Sequence, residues 1–84
     1  MRPNDVRTLD SRGLVNFRKS DYRAAMRDFD AALALAPKLE TSLYVRGLAR
    51  RKAGDVSGSD LDIAAAKTLD PKIAEMYASY GVTP

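Results

Sequence analysis

Apolar residues recur at spacings of three and four along most of this chain, and polar residues fill the positions between them. Val6, Leu9, Gly13, Leu14 and Phe17 form one such series and predict an amphipathic helix over about residues 5–19. Ser20-Asp21 interrupts it, and Asp21 is placed to cap a second helix. There Tyr22, Ala25, Met26, Phe29, Ala32 and Leu33 mark an apolar stripe that runs to about Ala36. Pro37 stops it, because proline disfavours helical backbone at the preceding residue and has no N–H to donate. The same grammar then returns: Leu43 to Ala53 as a helix, a Gly54-Asp55 turn, a helix within Val56–Asp70, and Pro71. Ile73 to Tyr80 predicts a short last helix. Ser57-Gly58-Ser59-Asp60 is a poor helix former, so the fourth helix is expected to begin late or irregularly.

A shift of 34 residues lays the chain on itself. It superposes Leu9 on Leu43, Arg12 on Arg46, Gly13 on Gly47, Leu14 on Leu48, Asp21 on Asp55 and Asp28 on Asp62. It also superposes Ala31, Ala32, Leu35, Pro37 and Lys38 on Ala65, Ala66, Leu69, Pro71 and Lys72, which makes 11 identities in 34 positions. A further step carries Leu43 to Tyr77 and Gly47 to Gly81, the opening of a third unit that then stops. Glycine within a helix costs about 1 kcal/mol. Gly13 and Gly47 are therefore read as points where the paired helix, with small Ala25 and Ala32, comes close. Arg12 and Arg46 stand at one spacing from Asp28 and Asp62 on the antiparallel partner helix, so each hairpin is expected to hold an Arg–Asp bridge with paired hydrogen bonds.

The period and the residues Gly13, Ala25, Phe29, Ala32 and Pro37, followed by Gly47, Ile63, Ala66 and Pro71, resemble the tetratricopeptide repeat pattern. Leu9 and Leu43 stand where that family usually has Trp, Asn16 and Arg50 where it has Tyr, and Ser59 replaces the alanine at Ala25. The resemblance implies an all-α fold, an α-α superhelix of two helical hairpins plus a C-terminal helix. It would be one domain over 1–84, with repeats at about 6–39 and 40–73 and a capping helix at about 72–81.

The resemblance also implies binding of an extended or helical partner segment on the inner faces of the first helices, without catalysis. Those positions fall on Arg7, Asp10, Leu14, Phe17 and Arg18, then on Thr41, Tyr44, Leu48, Arg51 and Lys52. Leu14, Phe17, Tyr44 and Leu48 would make an apolar centre beside the cations Arg18, Arg51 and Lys52, suited to an apolar anchor with acidic groups nearby. The same apolar residues could equally be covered by the last helix or by a second copy of the chain. Ile73, Met76, Tyr77 and Tyr80 are the corresponding cap or homodimer surface. The clamp with which some family members hold a C-terminal carboxylate is not expected here, because Asp10, Leu14, Val45, Glu75 and Ser79 supply no cation at its positions.

Composition narrows the picture. Eighty-four residues suffice for one small domain. No apolar run approaches the roughly 20 residues of a membrane span, and Met1-Arg2-Pro3-Asn4-Asp5 is no secretory leader, so the expected location is cytoplasmic. The chain has no Cys, His or Trp, which leaves no thiol or imidazole for catalysis, disulfides or zinc. No metal, cofactor or small-molecule substrate is expected. A net charge of +3 suits acidic partners. Arg18, Lys19, Arg23, Arg27, Arg50, Arg51 and Lys52 would also suit nucleic acid, but Asp21, Asp28 and Asp30 interleave with them and favour an ordinary solvated face.

Overall fold

Three helices of this chain open on an aspartate whose carboxylate accepts a first-turn N–H. A computed structural model describes residues 5–83. Asp5 accepts from the Arg7 N–H at 2.8 Å and opens α1 (Val6–Arg18). Asp21 accepts from Ala24 N–H and opens α2 (Tyr22–Leu35), which ends at Ala36 ahead of Pro37. Next come α3 (Glu40–Lys52), α4 (Val56–Leu69) and α5 (Ile73–Ser79). The fold is all-α.

Two boundaries differ from the sequence expectation. α4 begins at Val56 without irregularity, because Asp55 accepts from Gly58 N–H at 2.9 Å and satisfies the first turn. α3 begins at Glu40, three residues ahead of Leu43. Its cap Leu39 offers no side-chain acceptor, but Asp10 of α1 reaches across to the hydroxyls of Thr41 (3.1 Å) and Ser42 (2.6 Å) and ties that first turn down.

α1 pairs with α2 and α3 with α4 as hairpins, α2 packs on α3, and α5 lies against α3 and α4. Gly13 and Gly47 mark the close approaches. A Cβ at Gly13 would stand 2.5 Å from the Phe29 ring, and one at Gly47 would stand 2.8 Å from Ile63 Cγ1. Phe29 and Ile63 are repeat mates, so it is these larger side chains that fill the space over each glycine.

Both hairpins hold the expected ion pair. Arg12 Nε and Nη2 donate to Asp28 Oδ1 at 3.0 and 2.8 Å. Arg46 Nε and Nη2 donate to Asp62 Oδ2 and Oδ1, both at 2.9 Å. A second donor completes each carboxylate: Asn16 Nδ2 on Asp28 and Arg50 Nη1 on Asp62, each at 2.9 Å. Asn16 and Arg50 lie 34 residues apart, one helical turn beyond the arginines. Their spacing carried the signal that the sequence reading passed over. The bonds and charge of the partner aspartates raise the pKa of Arg12 and of Arg46 above the ordinary value.

Candidate functional site

The inner side of the hairpins, where α1 and α3 were expected to receive a partner, is occupied by α5 and the segment after it. α5 is anchored by Ile73 and Tyr77, and Val82 follows, its N–H donating to Tyr77 O at 2.9 Å. All three side chains are buried. The Tyr77 ring stacks on Tyr44 with centroids 5.3 Å apart and planes 15° from parallel. Burial, and then the negative charge of Asp10, push the Tyr77 phenol up to about 12, with Thr41 opposing. Burial raises the Tyr44 phenol as well. Tyr77, Asp10, Thr41 and Ser42 thus join α5, α1 and α3 in one polar cluster inside an apolar surround.

The last helix, one of the two expected covers, lies over part of the expected groove. Tyr44 and Leu48 are core residues, 3% and 0% exposed, so no partner touches them while α5 is seated; Phe17 is buried too, but its edge lines an open cleft. Asp10 and Leu14 are half-buried, whereas Arg7, Arg18, Arg51 and Lys52 are exposed. Of the alternatives for the last helix, Ile73 and Tyr77 behave as a cap within the core. Met76 is half-buried against it, and Tyr80 remains 59% exposed. The physical reason is area: a domain this small gains more by covering Tyr44 and Leu48 with its own chain than by leaving them wet.

What remains open is a cleft at the end of that face, about 320 Å³, between Phe17, Ser20 and Tyr22 on one side and Tyr80 to Thr83 on the other. Arg18 and Lys52, repeat mates on α1 and α3, line it as well. Phe17 and Tyr22 meet edge to face at 5.6 Å and are fixed by that contact. Arg18 Nη2 reaches the Tyr80 carbonyl at 3.5 Å, and its side chain makes no ion pair among the described residues. Tyr80 stands edge-on to Tyr77 at 6.2 Å. The cleft is therefore apolar at its base and cationic at its rim. Sequence reasoning identified Phe17, Arg18 and Lys52 but missed Tyr22 and Val82. The burial of the latter depends on where the tail turns after Gly81, a glycine with positive φ of 79°.

Among the described residues no helix is long and apolar enough to cross a membrane. Compared with family models, characterised proteins and solved structures, the chain matches none.

Proposed function

We propose that this chain is a non-catalytic protein-interaction module of the tetratricopeptide kind, which holds a short acidic segment of a partner protein in the cleft beside Arg18 and Lys52. The reading is supported by the 34-residue period and paired helices, and it is carried by one observation: an open cleft that combines an aromatic base with two cations that make no ion pair among the described residues. An apolar side chain of the partner enters against Phe17, Tyr22 and Val82. A carboxylate one or two residues away meets Arg18 and Lys52. The covered part of the inner face plays no direct role and serves to hold Phe17 in place.

The size of the cleft sets the strength. One buried aliphatic or aromatic anchor contributes about 2 to 3 kcal/mol, and exposed ion pairs contribute under about 1 kcal/mol each. Binding is thus weak, fast and sensitive to salt. The test is a fluorescence titration with a peptide that carries one Leu or Phe flanked by Asp and Glu. Affinity should fall several-fold on raising the salt and should vanish in Arg18→Glu/Lys52→Glu, while the melting temperature stays put. Equal affinity in the charge-reversed chain would sink the reading.

A further inference from the structure

The two hairpins are built alike but differ in how far their first helices are covered among the described residues. On α3, Ser42, Val45 and Ala49 are buried, and the Arg46 side chain, which reaches Asp30 of α2, is only 17% exposed. Their repeat mates on α1 are Thr8, Ser11, Val15 and Arg12. Ser11 is exposed, Val15 is 55% exposed and the Arg12 side chain 53%. Among the described residues no helix other than α2 and α3 packs on α1.

The arginines carry the comparison further. Arg46 uses Nε and Nη2 for Asp62 of its own hairpin and Nη1 for Asp30 of α2, at 2.8 Å. Arg12 uses Nε and Nη2 for Asp28, and its Nη1 makes no bond among the described residues. The helix face that supplies Asp30 also carries Met26 and Leu33, four residues before and three after it, and both pack into the core. α1 thus repeats the receiving half of an interface whose other half, α2 on α3, is already in the fold. Over this face lies a shallow hollow of about 320 Å³ lined by Arg7, Thr8, Ser11, Arg12 and Val15.

We propose that the outer face of α1 docks an amphipathic helix of another protein, with apolar residues at i and i+7 and a carboxylate at i+4 that accepts from Arg12 Nη1. A second copy of this chain does not offer that pattern. On α4 the matching positions hold Asp60 for Met26, Lys67 for Leu33 and Ala64 for Asp30, so charges replace the apolar pair and the carboxylate is missing.

The probe is a peptide with the sequence of residues 20–36, added to the isotopically labelled full chain and followed by NMR. Saturable shifts are expected at Thr8, Ser11, Arg12 and Val15. Asp30→Lys in the peptide should weaken binding at least about tenfold. Val15→Glu in the chain, at an exposed site, should abolish it without lowering the melting temperature. Four results would overturn the proposal: no shifts up to about 1 mM peptide, shifts confined to the Arg18 and Lys52 cleft, shifts across the α2 surroundings that report exchange with α2 itself, or indifference to Asp30→Lys. Concentration-dependent shifts at Thr8 to Val15 without peptide, with a doubled mass in sedimentation, would assign the face to self-association instead.

Discussion

Arg46 and Asp62 meet through two parallel hydrogen bonds of 2.9 Å, and the same guanidinium also holds Asp30, so one side chain of α3 joins α2 to α4. Asp62 is buried, and with Arg46 cut back it keeps only the Arg50 Nη1 contact while Asp30 loses its cation. The pair is thus a joint between hairpins more than a source of net stability.

Arg46→Ala is expected to cost about 3 kcal/mol, the scale for breaking a largely buried pair. Arg12→Ala should cost less, because that side chain is half in water and joins no second hairpin, although buried Asp28 then keeps only the neutral Asn16. Urea unfolding of both variants checks the order. Equal losses would mean that the link to Asp30 contributes nothing.

Ser59 stands where the first hairpin has Ala25, and both positions are fully buried. Its hydroxyl finds no hydrogen-bond partner among the described residues. A buried unmet hydroxyl costs about 1 to 3 kcal/mol. Ser59→Ala should therefore raise stability by about 1 kcal/mol, read as a higher urea midpoint with an unchanged slope.

How far the sequence foretold the molecule depends on whether a feature was stated twice. Arg12 with Asp28 and Arg46 with Asp62 were legible because each appears in both repeats at one spacing, and hairpin geometry then leaves them facing each other. The hairpin ends were legible at Pro37 and Pro71 for a steric reason. The site was less legible, since the groove positions at Tyr44 and Leu48 follow from the pattern but their cover does not. Tyr77 aligns with Leu9 and Leu43, yet α5 is 7 residues long against 13 for α1 and α3. Where so short a helix lies is decided by tertiary contact with Tyr44 and Asp10, which no local period encodes.

α1 ends with Ser20 in the left-handed region, φ 64°, at the position where α3 is followed by Gly54 with φ 97°. Only glycine adopts that backbone without cost. Ser20→Gly should stabilise the chain by about 0.5 to 1 kcal/mol, the left-handed penalty less the extra entropy glycine brings to the unfolded chain. Gly54→Ala, where an added Cβ would meet nothing within 4 Å, should lose a similar amount. Thermal melts of the two variants should move in opposite directions.

The phenol of Tyr77 gives the fold an alkaline limit. Burial, with the Asp10 charge, pushes its pKa up to about 12, whereas an unfolded tyrosine titrates near 10. Below pH 10 both states keep the proton and stability is unaffected. Between about 10 and 12 the unfolded chain loses the proton and the folded chain retains it, so the unfolded state binds fewer protons and stability falls as pH rises. Tyr77→Phe removes the titrating group but keeps the ring on Tyr44, so its stability should fall less steeply over that range. Urea midpoints of both chains at pH 8, 10 and 11 compare the slopes, and parallel curves would place the alkaline loss elsewhere. Asp10 tests the cause from the other side: Asp10→Asn keeps an acceptor for Thr41 and Ser42 but removes the charge, so the folded phenol should titrate closer to its unfolded value; the loss should still begin near pH 10 but end at lower pH and be smaller in total.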